Sequence, residues 1–271
     1  MPRASYIGIT VSMVLLGLVL AMWVPVASED VALEWRGLSL SLHVSGTVVI
    51  GLVLAALAGA GMDAVARPLF ARGGHLGERV PLWVLPAYVS VAALLSLADL
   101  WWGYQLGILV VTGLALATVM LAQFHAANPH SPQRPLARLI VQLMAYVAAV
   151  VLFTSLYGTR IRGALLGSGA FLLGGGLALV LLSADEVRPR RVWLYAGIVG
   201  LAMGQLTLAL NYYLLHERLA GALLLLAFYT LTGLAQQHLW QRLTRRVVLE
   251  YAITLLLGAA AVAVLNHWVM P

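Results

Sequence analysis

The sequence contains no cysteine and no lysine. Without cysteine it forms no disulfide, no thiolate metal site and no cysteine nucleophile. Without lysine, all 16 basic charges are arginines. Charge of either sign is scarce: 10% of residues are charged, against roughly 25% in a soluble domain. A chain so poor in charge cannot cover itself with water-facing groups, so lipid must be its principal solvent. The residues that are present agree. Hydrophobic types make up 62% of the chain, and the mean hydropathy is +0.94.

The 271 residues hold about nine helical spans of ~20 residues with short connections, and leave no room for a soluble catalytic domain. The expected fold is all-α: one integral membrane domain over 1–271, a polytopic bundle of about nine spans. The apolar runs place them at about Tyr6–Val26, Val44–Val65, Val80–Leu100, Gln105–Phe124, Leu136–Leu156, Gly163–Leu182, Val192–Leu214, Leu219–Gln236 and Val247–Val264. The first is longer than the ~7–15-residue core of a signal peptide, so it reads as a retained helix. Between the first two spans, Val31–Trp35 and Leu38–Leu42 partly alternate around Arg36-Gly37, which predicts a small hairpin or an interfacial segment. Pro86 should kink the third span, because it lacks an amide donor. Gln237–Arg246 reads as an amphipathic helix running into the ninth span.

The arginines orient the bundle. If the N-terminus is inside, the inner segments carry Arg3, Arg67, Arg72, Arg79, Arg134, Arg138, Arg188, Arg190, Arg191, Arg242, Arg245 and Arg246. The outer segments carry only Arg36, Arg160, Arg162 and Arg218. Such a bias places basic loops on the cytoplasmic side. The expected location is a prokaryotic cytoplasmic membrane, with the C-terminus outside. The basic charge is not a nucleic-acid footprint, since no basic stripe interleaved with aromatics accompanies it.

One five-residue stretch occurs nearly twice. Leu121-Ala122-Gln123-Phe124-His125 shares four of five residues with Leu234-Ala235-Gln236-Gln237-His238, 113 positions later. Each copy ends an apolar run and opens an arginine-bearing loop. Small-residue-rich span 2 (Gly46, Gly51, Ala55, Gly59, Gly61) answers span 6 (Gly167, Gly169, Gly174, Gly175, Gly176). The chain therefore reads as an N-terminal span (1–27) followed by two parallel four-helix repeats, 44–157 and 163–268. Four is even, so the copies face the same way, related by a pseudo-two-fold axis along the membrane normal.

No ionisable residue falls in the middle of a span, which disfavours a proton pump or an ion-coupled transporter of the usual kind. Glu250 lies one helical turn after Arg246, so an intrahelical ion pair accounts for it. Gln142, Gln205 and Asn211 are the notable uncharged polar residues within spans; as interhelical hydrogen-bonding groups they would also line any polar pathway. His125 and His238 occupy equivalent inner ends and form a candidate ligand pair. Gln123 and His125 lie ~200° apart on a helix, so one points inward when the other points outward. The expected arrangement has the glutamines inward. An outer polar cluster gathers His43, Asp99, Arg160, Arg162, His216, Glu217 and Arg218, residue types that serve acid–base chemistry but also solvate loop ends. Trp101, Trp102, Tyr104, Tyr157, Tyr212 and Tyr213 read as an outer aromatic girdle. Gly167-Ser168-Gly169 resembles the serine turn of intramembrane serine proteases, but no base lies opposite it. The three consecutive glycines serve close helix packing.

No motif calls for a metal or a cofactor; the paired histidines are the place for a metal, haem or quinone headgroup, and the aromatic girdle the place for a pigment. The expected partners are the lipid bilayer and other membrane proteins, with no nucleic acid. The leading functional reading is a non-enzymatic membrane subunit or scaffold that engages other membrane proteins or lipid through its helices. The runner-up is a permease for a small neutral or amphipathic molecule, with its site between the two repeats. A membrane enzyme acting at the outer face comes third.

Overall fold

The computed structural model describes residues 4–23, 29–35, 38–44, 46–70, 76–97, 101–128, 130–159, 163–183, 189–213 and 215–269. Its helices are α1 (Ala4–Trp23), α2 (Gly46–Ala66), α3 (Leu76–Leu97), α4 (Trp102–Ala127), α5 (Arg134–Gly158), α6 (Gly163–Ser183), α7 (Pro189–Leu210), α8 (Glu217–Leu239) and α9 (Arg245–Val269). A 3₁₀ turn, Arg67–Leu69, extends α2. All nine of these helices are long and apolar enough to cross a membrane. Between α1 and α2, strands β1 (Glu29–Trp35) and β2 (Leu38–Val44) pair antiparallel from Trp35↔Leu38 to Glu29↔Val44. Of the two readings of that segment, the hairpin is the one adopted.

Local chemistry sets the helix ends. Pro189 opens α7, and Pro135 sits in the first turn of α5, where a missing amide costs nothing because first-turn amides have no helical partner. α8 ends differently from the sequence expectation. No amphipathic helix runs from Gln237 into α9; α8 stops at Leu239 and a turn precedes Arg245. The stop is a Schellman motif. Gln241 has a φ of 55°, its N–H donates to the His238 carbonyl at 3.0 Å, and the Arg242 N–H donates to the Gln237 carbonyl at 3.0 Å. Glycine usually holds this left-handed position because it has no Cβ to clash.

Neighbouring helices run antiparallel. Gly17 faces Leu54 while Gly61 faces Thr10 across α1 and α2, and Gly51 faces Leu94 while Gly59 faces Trp83 across α2 and α3. The closest pair is α6 with α7. A Cβ on Gly200 would lie 2.7 Å from the Phe171 carbonyl oxygen, and one on Gly204 would lie 2.8 Å from the Gly167 carbonyl oxygen. Such backbone approach is how helices associate in lipid, which offers little hydrophobic drive between them. The three consecutive glycines of α6 serve two neighbours. Gly174 and Gly175 face α7 at Met203 and Ala196, whereas Gly176 lies against the Tyr88 ring of α3. The Tyr88 hydroxyl donates to the Leu172 carbonyl at 2.7 Å.

The main core joins α1 to α8, and includes Leu18, Leu54, Leu85, Leu116, Ala149, Leu152, Phe153, Leu177, Leu182, Val199, Leu224 and Phe228. Phe153 and Phe228 meet across α5 and α8 with ring centroids 5.9 Å apart. α1 packs chiefly on α2 and α4, as α5 packs chiefly on α6 and α8 among the later helices; α9 packs on α8.

Candidate functional site

Among the described residues, nine arginines share one end of the bundle, at the ends of α2, α3, α5, α7, α8 and α9: Arg67, Arg79, Arg134, Arg138, Arg190, Arg191, Arg242, Arg245 and Arg246. The last turns of α4 and α8, with His125 and His238, lie at this same end. The two histidines sit in different surroundings. His125 is half-buried; its Nδ1 is 3.1 Å from the Ser131 hydroxyl, and its ring meets Phe124 edge-on. Beside it, Arg134 Nε donates to the Ala126 carbonyl at 3.3 Å, closing the C-terminus of α4. His238 is exposed, its ring centroid 5.6 Å from that of Tyr195 on α7.

The preceding glutamines turn inward. Gln123 is 2% exposed, and its Oε1 has no hydrogen-bond partner among the described residues. Gln236 is half-buried, and its Nε2 approaches the Leu181 carbonyl of α6 at 3.5 Å.

His238 lines a cavity of about 640 Å³ between the start of α7 and the end of α8. Its polar walls are Arg191, Tyr195, His238 and Gln241; Leu194, Leu239 and Leu243 complete it. Arg191, Leu194 and Tyr195 are spaced i, i+3, i+4, the spacing that puts helix residues on one face. The Schellman turn brings Gln241 and Leu243 back over the end of α8. The sequence reading named His238 but passed over Arg191, Tyr195 and Gln241. The i, i+3, i+4 pattern of Arg191 was the signal available, and it read as a loop charge.

Gln142, Gln205 and Asn211 do not bond between helices as expected: all three side chains are exposed. Helix orientation is decided by the small-residue faces instead. Val141, Ala145 and Ala148 point α5 inward, which turns Gln142 outward. Gly200, Met203 and Gly204 do the same for α7 and turn Gln205 outward. Asn211 lies just past the end of α7.

At the opposite end, Asp99, Arg160 and Arg162 of the polar cluster lie outside the described residues, as does the side chain of His43. His216 is the N-cap of α8, its Nδ1 accepting the Arg218 N–H at 3.4 Å. Glu217 lies in the first turn of α8, where a carboxylate complements the helix dipole, and its carboxylate rests against Gly158. Arg218 is exposed. Tyr157 does not belong to the aromatic girdle: it is 5% exposed and donates to the Leu210 and Tyr213 carbonyls at 3.1 and 3.0 Å. Trp101, Tyr104, Tyr212 and Tyr213 are exposed, while the Trp102 side chain lies outside the description. Ser168 is exposed and bonds its own helix at the Leu165 carbonyl, 3.0 Å away. The Arg246–Glu250 pair does not form, and both side chains are exposed; Arg67 and Asp63 do pair, at 3.6 Å. No group of three or more potential metal ligands assembles among the described residues.

Two further cavities, of about 510 and 520 Å³, are open grooves between α3, α4 and α5 and between α2 and α3. Most of their lining is alanine, glycine and branched aliphatic side chains.

Nine apolar helices packed in this way define an all-α polytopic integral membrane protein. The profile of a family described as a protein of unknown function, DUF5656, matches residues 26–265, and the chain belongs to that family. The matched region takes in the hairpin and α2 to α8 entire, with most of α9, and leaves α1 outside. No curated protein and no solved structure matches the chain.

Proposed function

We propose that this chain is a non-enzymatic membrane subunit that engages a second membrane protein through α9. The observation that carries the reading is the bareness of that helix. Only 6% of its most apolar stretch is buried, whereas α2 to α8 range from 33% to 56%. Its packing history within the fold makes the bareness informative. α1 leads onto α2 and α4, and α5 leads onto α6 and α8. This favours two units arranged head to tail, α1–α4 and α5–α8, over a closed two-fold. α9 then stands as a leading helix does, and a partner's helices take the place that α6 and α8 take against α5.

Glu250 supports a protein over lipid on that face. It is exposed, five residues into α9, and thus ~7.5 Å along the helix axis. A carboxylate at that depth is costly against lipid and favourable against a basic or hydroxyl-bearing helix. The permease reading requires a polar cavity where 44–157 meets 163–268, but Ala149 and Phe153 on one side and Leu224 and Phe228 on the other are buried and apolar. The enzyme reading requires an active polar cleft at the opposite end, where His216 and Glu217 are used in capping α8.

The absence of cysteine makes the test direct. A single cysteine replacing Leu257, 67% exposed on α9, is compared with one replacing Val110, 63% exposed on α4. Cross-linking in native membranes should give an adduct of one fixed mass from Leu257→Cys alone, matching a protein that co-purifies in one-to-one ratio. A chain that purifies alone, with no adduct from either position, refutes the reading. Solute flux in liposomes holding the purified chain would replace it with the permease.

A further inference from the structure

We propose that the cavity between the start of α7 and the end of α8 holds the phosphate headgroup of an anionic phospholipid. This site is independent of the α9 surface. Its polar lining consists of donors: the Arg191 guanidinium, the His238 imidazole, the Tyr195 hydroxyl and the Gln241 amide. Among the described residues, none that lines it is acidic. A guanidinium grips two phosphate oxygens at once, and basic pockets between membrane helices at the headgroup level are where anionic lipids bind. Leu194, Leu239 and Leu243 supply the apolar wall along which the first carbons of an acyl chain run.

The backbone favours an anion as well. Arg191 is the third residue of α7, so its amide belongs to the helical turn that has no internal acceptor and carries the positive end of the dipole. The negative end of α8 would oppose an anion, but the Schellman motif occupies the Gln237 and His238 carbonyls with the Arg242 and Gln241 amides. Holding glutamine rather than glycine at a positive φ is unfavourable locally, and the same turn sets Gln241 into the cavity wall.

The end of α4 offers a contrast. At the end of α4, the histidine and the arginine are both committed: His125 to Ser131 and Arg134 to the Ala126 carbonyl. At the end of α8, the Arg191 and His238 side chains have no hydrogen-bond partner among the described residues, and both line the cavity. Donors left unpaired beside a cavity point to a ligand that completes them.

Native mass spectrometry of delipidated protein tests this, titrated separately with phosphatidylglycerol, phosphatidylcholine and inorganic phosphate. One phosphatidylglycerol should stay bound, phosphatidylcholine should not, and excess phosphate should fail to displace the lipid. Arg191→Gln should weaken retention about fivefold, the equivalent of the ~1 kcal/mol per arginine typical near an anionic surface. Arg246→Gln, at the same end but outside the cavity, should leave it unchanged. Should Arg191→Gln aggregate, the double variant Tyr195→Phe/His238→Gln, which keeps the guanidinium, should show the same loss. Equal retention of the two lipids, or unchanged retention in the cavity variants, overturns the proposal. Displacement by inorganic phosphate overturns the lipid assignment in favour of a soluble anion.

Discussion

Two glycines on α7, one turn apart, should respond in opposite directions to the same substitution. At Gly200 an added methyl carbon would stand 2.7 Å from the Phe171 carbonyl oxygen, and 3.0 and 3.1 Å from the Cα and N of Gly175. These are backbone atoms, so no side chain can rotate away; α6 and α7 must separate by about half an ångström to reach ordinary contact. Overpacking of this kind costs about 1–3 kcal/mol. The upper end applies, because separation also loosens Gly204 on Gly167 and Gly174 on Met203. At Gly197 nothing lies within 4 Å of the added carbon, and replacing a helical glycine by alanine gains about 0.8–1.0 kcal/mol. That gain operates at both sites. Gly200→Ala should therefore lose about 2 kcal/mol net and Gly197→Ala should gain up to 1, a separation of about 3 kcal/mol. The assay is unfolding of the purified protein by dodecyl sulfate in mixed micelles, followed by near-ultraviolet circular dichroism. If Gly200→Ala is as stable as Gly197→Ala, the two backbones are not in contact and the reasoning about the α6–α7 pair fails.

Gln123→Leu should be neutral or stabilising by up to ~1–2 kcal/mol, since it removes a buried acceptor that has no partner; a loss above 1 kcal/mol in the same assay would mean the oxygen is satisfied after all. Phe228→Ala should destabilise by about 3 kcal/mol, because it opens the junction between α5 and α8; equal unfolding midpoints would show that contact to be dispensable. A reporter fused after Pro271 should be active only if it works outside the cytoplasm, and activity of a cytoplasm-only reporter there would reverse the orientation drawn from the arginines.

The helical class and span positions were legible because lipid demands long uninterrupted apolar runs, and scarce charge marks their ends. α6, expected at Gly163–Leu182, spans Gly163–Ser183. Rotation about each helix axis was harder to read. In water a glutamine such as Gln142 reports the outer face; in a membrane bundle polarity alone does not, and the side that packs is the side with small residues. Gln142 and Gln205 therefore lie outward, away from the alanines and glycines of α5 and α7, whereas Gln123 lies inward on a face of α4 that also buries Leu116, Val119 and Met120. The α7–α8 cavity was illegible for a further reason. It depends on a left-handed Gln241, and nothing in Trp240-Gln241-Arg242 announces a turn that glycine would have made obvious.

The attachment of α9 has a consequence for how the molecule comes apart. It rests chiefly on α8, through Gly258 against Leu226 and Gly233 against Tyr251. Opening free energies differ across a structure and are lowest where contacts are fewest. α9 should peel away as a unit while the other eight helices remain assembled, so unfolding of the isolated chain should pass through a partly dismantled state that a bound partner suppresses.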